Sequence, residues 1–413
     1  MNTYRTLRRT LVLFLMTALL LQSCSFLSDG ASGAASSDAS HPAAGADAAE
    51  ALTAFTNDEI RLGIQEALDD YARAYNRNDP ALLKRAVDQD NLPFRRMVQT
   101  LFDDYQQSIY AGTEHFEFTV KSVSPMTQGF MLAHIAVSSH YVLDWTFRYT
   151  GENWVISEPT LEQLGEPEYI EKEHFTFETY RWNRDYNEEI MQLMESAAAH
   201  VETDLGKIPE GKVFVSILPG YSAVPDLDPS ASAYYFSGSS LEDDAILIFS
   251  PISMNFGSYD SSKGWQPELE EKLVHEYTHL AHKRAFGDAG KMMDWLTEGL
   301  AEYVCESSRV YEVSDALAGD QLIPIIDEQR SAYQQDLMHL YLLESDVSLG
   351  YAEAEALVMY ITTTYGGMDA VWKLAEAHDR LQDLDAALEE AFHISFAEFD
   401  SDWRDWLEIH FGA

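Results

Sequence analysis

Two histidines four residues apart, His275 and His279, enclose Glu276 in a His-Glu-x-x-His run. In a helix, that spacing sets both imidazoles on one face, one turn apart, where they can share a metal ion. Glu276 points to a slightly different side, within reach of a water held by such an ion. Eighteen residues separate His279 from Glu298, in Trp295-Leu296-Thr297-Glu298-Gly299-Leu300-Ala301-Glu302. Two histidines, one glutamate and one open position form a catalytic rather than a closed structural zinc set. Glu302 lies one turn beyond Glu298 and can hold the outer nitrogen of a ligand histidine, His275 above all, fixing its tautomer.

These residues need two helices. Pro267 opens the first, with Glu268, Glu270 and Glu271 in its first turn, where the helix dipole favours acids. Gly287 ends it. Asp294 is suited to cap the second, which puts Glu298 in its first turn. His282 reads as a surface or outlying residue, Cys305 as a buried thiol, and Trp295 and Trp403 as packing anchors. The acidic runs read as solvated helix faces.

The His-Glu-x-x-His run, the 18-residue interval and the following Trp-Leu-x-Glu-Gly resemble the gluzincin metallopeptidases, which include aminopeptidase N-like and peptidase MA-like families. The resemblance implies zinc ligated by His275, His279 and Glu298, with Glu276 as general base. Further on, Gly350-Tyr351-Ala352-Glu353 precedes a helical run and Tyr365-Gly366-Gly367. In the aminopeptidase group a tyrosine at the start of that helix donates to the developing oxyanion, a role the resemblance gives to Tyr351. The aminopeptidase Gly-x-Met-Glu-Asn motif is missing, which favours the peptidase MA-like group. The resemblance covers about residue 173 to the C-terminus. The strand expected at Ala245–Phe249 is either a sheet edge that pairs with an extended peptide or a core strand.

Ahead of this region, Ile60, Ile64, Leu68, Tyr71 and Tyr75 recur at helical spacing. Further helices are expected from Pro80 and over about Pro93 to Tyr110. After Gly112 the pattern alternates, with strands around Phe116 to Val120, Phe130 to Val137, Tyr141 to Tyr149 and Trp154 to Ile156. The layout resembles the cone-shaped nuclear-transport-factor-like fold. His115, His134 and His140 are expected on these strands as structural residues. The fold class expected is α+β: this domain over 51–165, then a zincin-type peptidase domain over 166–413 with a small mixed sheet and a mostly helical end. Glu158-Pro159 to Glu166-Pro167 reads as the linker.

The first 23 residues read as a secretory signal, with Arg5, Arg8 and Arg9 ahead of an apolar run from Leu11 to Leu21. Leu21-Gln22-Ser23-Cys24 resembles the lipobox of bacterial lipoproteins. That implies lipid attachment at Cys24 and anchoring at the cell membrane; the alternative is ordinary secretion. A Ser-, Ala- and Gly-rich tether follows to residue 50. With 69 acidic against 27 basic residues and a net charge of −42, the chain is a poor partner for nucleic acid. Two cysteines exclude a disulfide framework. Two functions fit: a zinc peptidase acting on peptides or proteins outside the cytoplasm, and a binding lipoprotein with a non-catalytic zincin scaffold.

Overall fold

A threonine and a glutamate three residues apart fix the start of the first helix in the computed structural model, which describes residues 55–108, 111–113, 115–206, 211–225, 233–236, 245–286, 293–307, 309–326 and 347–412. Thr56 and Glu59 form a reciprocal capping box at α1 (Asn57–Arg77). The expected signal segment, Cys24, the tether, Tyr110 and Gly287 lie outside the described residues. Ile60, Ile64, Leu68, Tyr71 and Tyr75 are all buried on one face of α1. Asp79 caps α2 (Pro80–Ala86), and Asn91 caps α3 (Leu92–Gln107).

An antiparallel sheet follows, with strands β1 (Thr119–Pro125), β2 (Phe130–Ala136), β3 (Tyr141–Tyr149) and β4 (Trp154–Ile156). Phe116 and Phe118 are buried but precede β1 instead of belonging to it. Their backbone is paired by α1: Asn76 bonds both ways with Phe116, and Gln65 donates to the Phe118 carbonyl. Only His134 of the three histidines sits on a strand, with Nδ1 2.9 Å from Asp144 Oδ1. His115 and His140 are exposed and lie off the strands.

The second sheet has the order β5-β6-β7-β9-β8. Its strands are β5 (Glu168–Glu171), β6 (Phe175–Thr179), β7 (Val213–Leu218), β8 (Ala233–Phe236) and β9 (Ala245–Phe249). β6, β7 and β9 run parallel, while β5 and β8 pair antiparallel at the two sides, so the sheet is mixed. Helix α4 (Arg184–Leu205) connects β6 to β7 and stops at Gly206, whose φ of 63° suits a left-handed cap. The edge reading of Ala245–Phe249 is wrong: β9 is inner, with β7 on one side and β8 on the other.

The expected linker is anchored at its start. It holds a one-turn helix, Leu161–Leu164, directly ahead of β5, and Glu158 at its start is buried. The Glu158 carboxylate accepts from Tyr221 N at 2.7 Å, Met254 N at 2.8 Å and Ser253 Oγ at 3.0 Å, all from the C-terminal region. Strand β10 (Tyr259–Asp260) crosses over as well and extends the first sheet beside β3. Tyr259 then donates its hydroxyl to Asp144.

Burial pushes Glu158 up to about 7, against the pull of the Met254, Tyr221 and Ser253 hydrogen bonds. An unfolded glutamate titrates at about 4.3. The folded chain therefore binds the extra proton between those values. The Glu158 contribution to stability is full below about pH 4.3 and is lost as pH rises through about 7. The stability difference between wild type and Glu158→Gln should shift against wild type from pH 5 to pH 8, read by urea unfolding at each pH.

The remaining elements are helices: α5 (Gln266–Phe286), α6 (Asp294–Val304), α7 (Glu312–Gly319), α8 (Val347–Tyr365), α9 (Met368–Leu381), α10 (Leu384–Phe392) and α11 (Phe396–Phe411). Trp295 and Trp403 are fully buried in one apolar core with β6, β7, β9, α4, α5 and α8. Each such aromatic contributes roughly 2–3 kcal/mol by leaving water. No helix among the described residues is long and apolar enough to cross a membrane.

Candidate metal centre

Three helices carry the site. α6 packs between α5 and α8, so residues on its two faces meet both neighbours. α5 starts at Gln266, one residue before Pro267, and has Glu268 in its first turn. α6 departs from expectation at its start. Met293 is the cap residue, with no side-chain cap bond, and Asp294 is already helical, so Glu298 stands in the second turn. The contacts made by Glu298 and Glu302 are unaffected by that shift, because their mutual spacing is one turn either way.

Gly299 explains how α6 and α8 come so close. A Cβ built there would lie 2.2 Å from the Ala354 carbonyl oxygen and 2.5 Å from its carbon. Only glycine admits that contact, and it sits directly after Glu298.

The donor atoms form a nearly equilateral triangle. His275 Nε2 and His279 Nε2 are 3.1 Å apart, and Glu298 Oε2 lies 3.5 Å from the first and 3.4 Å from the second. Zinc bonds of about 2.0–2.1 Å in a tetrahedron set neighbouring donors about 3.4 Å apart. The three atoms thus have the spacing of one face around such an ion, and two imidazoles with one carboxylate are a donor set that zinc favours. His279 and Glu298 are buried, and His275 and Glu276 half-buried.

Electrostatics fit a cation. Burial opposes ionisation of Glu298, but His279 and His275 outweigh it and hold the carboxyl well below the usual range. Glu302 Oε1 stands 3.2 Å from His275 Nδ1, on the opposite side of the ring from the triangle. As a carboxylate it can accept a proton from Nδ1, the arrangement in which a ligand histidine presents Nε2 to a metal. Burial also opposes the ionisation of Glu302, but Arg309 and His275 bring it down to about 2.

Tyr351 is buried on α8, its ring 6.4 Å from the His275 ring. It stands in the second turn, because α8 begins at Val347. The Gly-Gly end is as expected: α8 stops at Tyr365, and Gly366 and Gly367 follow with φ of 113° and 78°.

Other expectations divide. His282 is not at the surface: it is buried, stacked on Trp372 at 6.0 Å. Cys305 is a half-buried free thiol, donating weakly to the Glu302 carbonyl at 3.4 Å, and burial pushes it up to about 12. It is too rarely a thiolate at neutral pH to serve as a nucleophile. Its sulfur, His275 and Glu302 form a second close group.

Two participants carried no sequence signal. Arg309 lies over the Tyr351 ring at 5.1 Å and 3.6 Å from Glu302. Glu355 on α8 is buried and accepts from Ser307 Oγ at 2.8 Å and Val310 N at 3.1 Å, pinning the segment that holds Arg309. Burial lifts Glu355 to about 8. Glu353, two residues before it, is buried as well.

No family model matches the chain, and no curated protein matches it.

Proposed function

We propose that the chain is a zinc-dependent peptidase of gluzincin type, acting on peptides or proteins outside the cytoplasm. The observation that carries this reading is the donor triangle of His275, His279 and Glu298, with Glu276 beside it on α5. A bound zinc would polarise the scissile carbonyl and acidify a water in the open fourth position. His275 and His279 would each present Nε2. Glu302 keeps the proton of His275 on Nδ1. Glu276 accepts a proton from the attacking water and returns it to the leaving amine. The Tyr351 hydroxyl donates to the oxyanion as the tetrahedral intermediate forms.

The leader over residues 1–23, lipid attachment at Cys24 and a tether to residue 50 would anchor the peptidase at the cell membrane. The region 51–165 would serve as an accessory domain of the nuclear-transport-factor-like kind. Its helices-then-sheet order supports that assignment. One observation favours the binding-lipoprotein reading. A cleft of about 440 Å³ opens on this region, lined by Phe55, Gly63, Tyr149 and Trp154 among others.

The test is a peptide-library digest read by mass spectrometry, alongside metal analysis of the purified chain. The expected result is one zinc per chain and cleavage that chelation stops and zinc restores. Zinc without cleavage of any peptide would favour the binding reading, and a failure to take up zinc would sink the centre itself.

A further inference from the structure

We infer that Arg309 is a positioning residue of the metal centre: one guanidinium holds Glu302 against His275 and holds the ring of Tyr351 beside it. This rests on the metal-centre reading above.

Arg309 is nearly enclosed, with 11% of its side chain exposed, and the Glu302 side chain is 4% exposed. A cation taken out of water needs compensation from close partners. Arg309 finds it in two directions. Its Nη1 lies 3.6 Å from Glu302 Oε1, the same oxygen that faces His275 Nδ1 at 3.2 Å. The guanidinium carbon lies 5.1 Å from the Tyr351 ring centre, on the ring's face. A planar guanidinium can present an edge to a carboxylate and a face to an aromatic ring at once; a lysine ammonium cannot.

The segment carrying Arg309 is built for this placement. Ser307 N donates to the Glu302 carbonyl at 3.1 Å, tying the segment to the end of α6. Ser307 Oγ and Val310 N, two residues before Arg309 and one after it, both donate to Glu355 Oε2. Glu355 is one turn past Tyr351 on α8. Arg309 is thus clamped between the helix that carries Glu298 and Glu302 and the helix that carries Tyr351. Without it, Glu302 keeps His275 but loses its cation. The carboxylate is then freer to turn away, and the imidazole loses its fixed orientation.

The experiment uses the full chain with Arg309→Met and Arg309→Lys. Zinc affinity is read by competition with a chromogenic chelator, and thermal unfolding of the metal-free chain checks the fold. Arg309→Met should weaken zinc binding about 10–100-fold, the usual effect of removing an outer partner of a ligand histidine. Arg309→Lys keeps the charge but loses the stacking face. It should bind zinc within about threefold of wild type, while kcat falls about tenfold with KM unchanged. In a Glu302→Gln background, Arg309→Met should add less than about threefold, because the two act as one unit. A folded Arg309→Met chain that binds zinc within twofold of wild type overturns the inference. Should that variant not fold, an unchanged kcat in Arg309→Lys overturns it equally. A wild-type chain that takes up no zinc removes the metal-centre reading and the inference together. Wild-type zinc and cleavage with indifferent Arg309 variants removes the inference alone.

Discussion

Replacing Glu276 with glutamine is expected to lower peptide hydrolysis by about a thousandfold while zinc content stays at the wild-type level. Glutamine has nearly the same shape, so the half-buried position on α5 is still filled. It cannot take a proton from water at neutral pH, and it cannot return one to a leaving amine. The ligand triangle involves His275, His279 and Glu298 only, so metal affinity has no reason to fall. The loss should appear in kcat, with KM little changed, because the proton transfer occurs in the transition state and not in substrate binding. Metal analysis and steady-state kinetics on one cleaved peptide measure both. Retained turnover would refute the role given to Glu276; lost zinc would show that the variant had disturbed the helix instead.

The site was legible in the sequence to an unequal degree, and the reason is local geometry. His275, His279, Glu298 and Glu302 sit on regular helices, where spacing alone decides which side chains share a face. The structure places them together even though α6 begins at the expected cap itself, with Met293 as the cap residue. Arg309 escaped because it opens a single 3-10 turn, Arg309–Tyr311, too short for any period to link residue number to direction. Its partner Glu355 escaped for a different reason. A glutamate on a helix looks solvated in sequence, and only the folded arrangement shows Ser307 and Val310 donating to it.

The same distinction holds for the fold. α1 was readable from its apolar spacing, and its capping box marks its start. The Tyr259–Asp260 strand is two residues long and carries no periodic signal, yet it joins the C-terminal region to the first sheet. Glu158 looked like part of a linker because Glu-Pro is common in exposed segments. Its burial depends on donors about 60 and 95 residues away, at Tyr221, Ser253 and Met254. Ala245–Phe249 could not be assigned to edge or interior, since that depends on whether β8 covers it, and it does.

Gly299→Ala is expected to be the most damaging single-methyl change in the site. In an exposed helix, alanine would gain about 1 kcal/mol over glycine. Here the new Cβ would stand 2.2 Å from the oxygen, 2.5 Å from the carbonyl carbon and 3.2 Å from the Cα of Ala354. All three are backbone atoms inside α8, so no side chain can rotate away. The helices must part by roughly 1 Å, and overpacking of this kind costs about 3 kcal/mol. Glu298 immediately precedes Gly299, and Tyr351 and Glu355 flank Ala354 on α8. Parting the helices therefore moves one of the proposed zinc ligands and the proposed Arg309 clamp together. A 1 Å misplacement can cost about a hundredfold in rate. Urea unfolding should show the lost stability, and chelator competition the weakened zinc binding. Adding Ala354→Gly should not restore either quantity, because the contacted atoms belong to the backbone and survive the substitution. Rescue by Ala354→Gly, or a Gly299→Ala chain as stable as wild type, would mean that the close approach of α6 and α8 does not hold Glu298 in place.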